Sequence, residues 1–130
     1  MILLDTHMWI WWVNQAPELS AADQGVIEQH AASGLALSMI SYWEVAKKVE
    51  RGKLQLNREL RPWLEAALAY PGLRPIDLSL DIILESTQLP GTFHRDPADQ
   101  MIVATARVLD IPLLTRDSKI RNYPHVKLAD

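Results

Sequence analysis

Five carboxylates stand in four separated stretches of the chain: Asp5, Glu44, the pair Asp96 and Asp99, and Asp117. If they meet, their charges repel and raise one another's pKa values. A hard divalent cation removes that cost. Mg2+ prefers oxygen ligands, keeps several waters and takes only one or two direct carboxylates. The four histidines, His7, His30, His94 and His125, show no metal-ligand spacing, and cysteine is absent. Zinc is therefore not expected, and the chemistry on offer is that of an all-oxygen Mg2+ site.

Each acid also has a local explanation. Asp96 can cap the helix that starts at Pro97, where a missing N–H costs nothing. Asp99 lies in the first turn of that helix, where the dipole favours an anion. Its apolar stripe continues through Met101, Ile102, Thr105, Ala106 and Leu109. Asp5 can cap a helix after the first strand. Ser41 and Glu44 have the spacing of a capping box, and Asp117 can open a turn.

The elements that would position these acids follow from the hydrophobic pattern. Residues 1–4 (MILL) form a continuous apolar run, which suits a strand buried on both faces. Further strands are expected over 35–38, 73–78 and 111–115, with a short final one over 126–128. Helices are expected over 7–14, 21–32, 41–49, 58–70, 80–88 and from 97 onward. Asn57 would cap the fourth, and Pro62 would force a late start or a bend. Strands alternating with helices imply a parallel sheet covered on both faces. The fold class is therefore α/β, with four to five parallel strands in one domain over residues 1–130. In such a sheet the functional crevice lies beyond the carboxyl ends of the strands. Asp5, Glu44, Asp99 and Asp117 are all expected at that edge, with Glu44 in the first turn of its helix.

The remaining composition is permissive. The formal net charge is -3, which argues weakly against nucleic acid. Setting the five carboxylates aside, however, leaves the rest of the chain net positive. Without cysteine there are no disulfides, and the first residues lack a basic leader. A soluble, cytoplasmic protein with no membrane span is expected. Trp9, Trp11 and Trp12 crowd one short helix, and at least one of these rings is expected to be exposed at a protein interface. Lys47, Lys48, Arg51 and Lys53 cluster on and just past the third helix.

Four blocks, MILLDTHMWIWW, ISYWEVAKKV, HRDPADQMIVATA and LLTRD, resemble in order and spacing the PIN-domain ribonucleases. The toxin component of VapBC-type toxin–antitoxin pairs is the nearest match. The resemblance spans essentially the whole chain. It implies a Rossmann-like three-layer α/β/α fold and RNA cleavage with Mg2+ or Mn2+ held by an acidic quartet. It also implies a cognate antitoxin and a homodimer. Carried over by position, the quartet is Asp5, Glu44, Asp99 and Asp117, with Asp96 as a supporting ligand. Thr115 lies where a hydroxyl often assists, and Gln100 stands where close relatives usually carry Arg.

The expected reaction is metal-assisted hydrolysis of an RNA phosphodiester. Asp5 and Asp99 are the expected direct ligands; Glu44 and Asp117 would act through water. Arg95, Arg116 and Thr115 are the expected substrate contacts; Lys47, Lys48, Arg51 and Lys53 are further candidates to grip RNA, with a solvated helix face as their alternative explanation. Two other readings compete. One is a phosphatase or phosphotransferase with Asp5 as nucleophile, although such sites usually need a second acid where His7 stands. The other is a catalytically silent interaction module. A nucleotide-binding Rossmann domain is disfavoured, because no Gly-rich loop follows the first strand.

Overall fold

The computed structural model describes residues 1–130. Four strands, β1 (Ile2–Leu4), β2 (Leu35–Ser38), β3 (Leu73–Ile76) and β4 (Leu113–Leu114), form one sheet in the order β3-β2-β1-β4. Every pairing is parallel, with Leu4 opposite Leu37 on one side and Leu114 on the other. The expected final strand is reduced to a single parallel bridge between Leu113 and Leu128. The chain runs outward from β1 through β2 to β3, then returns to the far side of β1. The point where the order reverses is therefore the β1–β4 boundary.

Seven helices complete the chain: α1 (Thr6–Val13), α2 (Ala21–His30), α3 (Met39–Glu50), α4 (Leu60–Leu68), α5 (Leu80–Ser86), α6 (Pro97–Leu109) and α7 (Ser118–Arg121). Successive strand residues point to opposite faces, and the core divides accordingly. Ile2, Leu4, Leu35 and Leu37 pack with Trp9, Ile27, Val45 and Trp63 on one face. Leu3, Ala36 and Leu113 pack with Ile102, Val103 and Ile120 on the other. This is the three-layer α/β/α arrangement. No helix is long and apolar enough to cross a membrane.

Several local expectations shift. α3 begins at Met39, capped by the Ser38 side chain. Ser41 is thus inside the helix rather than its cap, and the proposed capping box does not form. α4 begins at Leu60 after Glu59, without a side-chain cap from Asn57. Pro62 explains the late start: one turn further in, its ring would strike the preceding turn. The four-residue α7 escaped the sequence reading, since two turns' worth of periodicity is needed to register a helix.

The tryptophans of α1 are less exposed than expected. Trp9 is fully buried, edge-on to Tyr42 and Trp63, with ring centroids 4.9 and 5.3 Å away. Trp11 and Trp12 are half-buried against the same core. The large apolar side chains left in solvent include Leu80, Ile83 and Leu84 on α5, and the exposed tryptophan is Trp43. Trp9→Ala is expected to lower unfolding stability by about 3–5 kcal/mol. Trp43→Ala, at an exposed site, is expected to stay within about 0.5 kcal/mol. Urea denaturation midpoints measure both.

Candidate functional site

Asp5 follows β1 directly and caps α1. Its Oδ1 accepts the Met8 backbone N–H at 2.9 Å. Its Oδ2 accepts the hydroxyl of Thr115, which also accepts the Asp117 N–H at 3.0 Å. One buried hydroxyl between β4 and α7 thus ties Asp5 to Asp117. Asp117 in turn caps α7, with Oδ1 2.8 Å from the Lys119 N–H. Asp96 caps α6 through the Asp99 N–H at 3.1 Å. Glu44 lies in the second turn of α3, not the first, and accepts the Thr6 hydroxyl. That hydroxyl lies 2.9 Å from the Ser41 hydroxyl, which explains why Ser41 stands one turn before Glu44.

These segments meet. Asp5, Glu44, Asp96, Asp99 and Asp117 line one open cavity of about 300 Å³ at the carboxyl edge of the sheet, with no hydrophobic residue in its wall. The other lining residues are Thr6, His7, His94, Lys48 and Lys119. His94 Nε2 sits 2.9 Å from Asp99 Oδ2, with the ring misaligned for a hydrogen bond. Its backbone carbonyl accepts the Gln100 side-chain amide at 3.1 Å. In this chain Gln100 therefore holds the His94 loop.

The charges are not balanced within the cavity. Burial pushes the Asp5 carboxyl up, opposed by the Thr115 and Met8 hydrogen bonds. Burial also raises Glu44, opposed by Thr6 and by Lys48. Asp99 is pushed up to about 7, first by burial and then by the fields of Asp96, Asp117, Glu44 and Asp5. An all-oxygen donor set whose acids are forced toward the neutral form suits a hard divalent cation. No three of these acids stand close enough to share an ion directly.

Other expected contacts are placed differently. Arg116 is outside the cavity: its guanidinium forks onto buried Asp23 of α2, with Nε–Oδ2 2.6 Å and Nη2–Oδ1 2.5 Å. It points away because Asp23, buried and acidic, needs a bidentate partner. Arg95 is exposed and does not line the cavity. Thr115 is fully buried, so it positions Asp5 and Asp117 rather than touching substrate. Thr6, Ser41, His7 and Lys119 were missed as site residues by sequence reading, whereas Lys48 belongs to the basic cluster it singled out. Thr6 was legible, since it follows Asp5 directly. Lys119 carries no motif and is recognisable only by position.

Residues 2–126 match the family model of the PIN domain. The chain belongs to the PIN-domain family. It is 32% identical over 124 residues to Ribonuclease VapC22 of Mycobacterium tuberculosis, covering 95% of this chain and 92% of that protein. Its fold is similar to those of FitAcB from Neisseria gonorrhoeae and VapBC2 from Rickettsia felis bound to a promoter DNA fragment. FitAcB gives a TM-score of 0.72 at 22% identity, over 100% of this chain and 97% of that one. VapBC2 gives 0.71 at 21%, over 98% and 97%. VapBC-1 from nontypeable Haemophilus influenzae gives 0.69 at 18%, over 100% and 98%.

A pH prediction follows from the sign of the Asp99 shift. Its folded pKa of about 7 lies above an unfolded value near 4, so between these the folded state binds the extra proton. Stability of the metal-free PIN domain is expected to fall as pH rises from about 4 to about 7, and to level off above. Asp99→Asn is expected to flatten that decline. Urea unfolding in EDTA across the pH series measures both. A rise across the same window contradicts the repulsive cluster.

Proposed function

We propose that this chain is a metal-dependent endoribonuclease that hydrolyses RNA phosphodiester bonds, acting as the toxin of a VapBC-type toxin–antitoxin pair. The observation that carries this reading is the convergence of Asp5, Glu44, Asp96, Asp99 and Asp117 on one polar cavity. Identity to a ribonuclease over most of both chains supports it. Structural likeness to VapBC complexes supports an antitoxin as partner.

Asp5 and Asp99 would hold the ion directly; Glu44 and Asp117 would hold its waters, with Asp96 in support. Mg2+, or Mn2+ in its place, would supply a bound water of lowered pKa and neutralise charge on the phosphate. The chain's own groups prepare that site. Thr115 fixes Asp5 through a buried hydroxyl, and Thr6 fixes Glu44. Lys48 and Lys119 on the cavity wall draw the anionic backbone inward. The exposed apolar α5 face, with Leu80 and Leu84, supports a second copy of the chain as a further partner.

Asp5 as a phosphatase nucleophile is disfavoured by its burial and by hydrogen bonds on both of its oxygens. The silent-module reading differs in its response to metal. An active centre of repelling acids is expected to gain melting temperature with Mg2+; a module without the site is not.

Asp5→Asn and Asp99→Asn are each expected to lower the rate of RNA cleavage in Mg2+ about a hundredfold or more. Thr115→Val, which removes only the positioning hydroxyl, is expected to cost about ten- to a hundredfold in kcat while leaving RNA affinity in EDTA unchanged. A labelled RNA in single-turnover and binding assays separates these effects. Undiminished cleavage by both acid variants would sink the proposal.

A further inference from the structure

Asp117 hangs between two very short elements. β4 supplies two residues before it and α7 four after it. On one side the stretch is fastened by Thr115, whose hydroxyl reaches Asp5 and accepts the Asp117 N–H. The Thr115 carbonyl also accepts from Arg121 Nη1 at 3.0 Å, but Arg121 belongs to α7 itself. In an extended stretch alternate side chains face opposite ways. Thr115 and Asp117 serve the cavity side, and Arg116 between them leaves on the other.

Arg116 is met there by α2, a helix that lends nothing to the cavity wall. Asp23 stands in the first turn of α2, with its side chain only 4% exposed. Its own N–H is satisfied by the Ser20 hydroxyl at 3.1 Å. Both of its carboxylate oxygens accept from Arg116 and from no other group. Four residues on, Ile27 is fully buried and seats the helix in the core. Stability does not account for this pair. Burying a carboxylate is costly, and two apolar side chains of similar volume hold such a place as well or better. What the guanidinium fork adds is direction, because two parallel N–H donors fit a carboxylate in one plane.

We infer that the Asp23–Arg116 pair is a positioning device for Asp117. α2 holds the backbone at residue 116, and that fixes where the next carboxylate stands in the cavity. With Thr115 on one side and Arg116 on the other, the stretch cannot roll about its own axis. The inference rests on the nuclease reading, in which Asp117 holds waters of the ion, and adds two residues to it. Arg116 is accordingly a positioning residue, and its place beside Asp117 in the chain is not that of a substrate contact.

The test uses the full chain and replaces the pair as a whole, because removing one partner leaves a buried charge unpaired and lowers stability by itself. Asp23→Leu with Arg116→Met is expected to keep the urea midpoint at or above that of the wild type. Its kcat for RNA cleavage is expected to fall about tenfold, and its affinity for Mn2+, read by calorimetry without RNA, to fall about tenfold as well. RNA affinity in EDTA is expected to stay unchanged, and so is its salt slope, which the loss of a phosphate contact would lower by about 0.7. Arg116→Lys keeps the charge and loses the fork, and is expected to shift kcat and Mn2+ affinity in the same direction. In an Asp117→Asn background the apolar pair is expected to cost nothing further. Wild-type kcat and Mn2+ affinity in either folded variant overturn the inference and leave the pair a structural contact. Losses that multiply with Asp117→Asn, or a reduced salt slope, also overturn it and return Arg116 to the RNA. A wild-type protein that binds Mn2+ but cleaves no RNA overturns the nuclease reading, and the Mn2+ measurements then decide the placement of Asp117 by themselves.

Discussion

Repulsion among five carboxylates held at one edge of a sheet is the constraint that organises this molecule. Left to themselves, such groups would turn outward into water. Three of them are prevented from doing so by backbone N–H groups: Asp5 caps α1, Asp96 caps α6 and Asp117 caps α7. Each cap also places its acid near the positive end of a helix dipole, which offsets part of the repulsion. Asp99 caps nothing and feels all the others, and it is the acid pushed up to about 7. For Asp5, Asp96 and Asp117, capping a helix and lining the shared cavity are therefore compatible. Capping is how the fold aims charge at a place where charge is unfavourable.

Hydroxyl groups do the remaining positioning. Thr115 joins Asp5 to Asp117 across the β1–β4 boundary, and Thr6 holds Glu44 across the gap between α1 and α3. Both threonines are buried, so neither can be replaced by water without opening the core. The packed faces behind them explain the rigidity. Trp9 on one side of the sheet and Val103 on the other are fully buried, and the strands between them are only two to four residues long. Strands this short rely on the helical layers to hold their ends in register, and the acids hang from those ends.

The basic wall of α3 complements this centre. Its cations lie outside the acidic cavity but share Lys48 with it. The polarity thus changes from positive to negative between two adjoining cavities. The formal net charge conceals this division, because the two clusters nearly cancel in the total while lying side by side on the surface.

Much of this was legible in the amino-acid order. MILL ending at Asp5, Pro97 after Asp96, and LLT before Asp117 each join a buried strand or helix start to an acid, through period and capping chemistry that act within a few residues. Those local rules placed four strands, most helices and every acid at the carboxyl edge. They erred where a distant partner decides. Ser41 resembles a cap, yet it lies inside α3 because Ser38 at the strand end is the first residue free to cap. Arg116 stands beside Asp117 in sequence, yet it turns toward Asp23, 93 residues away, since a buried carboxylate must find a cation. Trp9 and Trp43 are alike as residues; only the packing of α1 against α3 and α4 buries one and leaves the other in solvent. Sequence alone determined which groups could act and which strand ends would carry them. Tertiary structure decided which of them meet, because meeting depends on contacts between segments that no local period or spacing records.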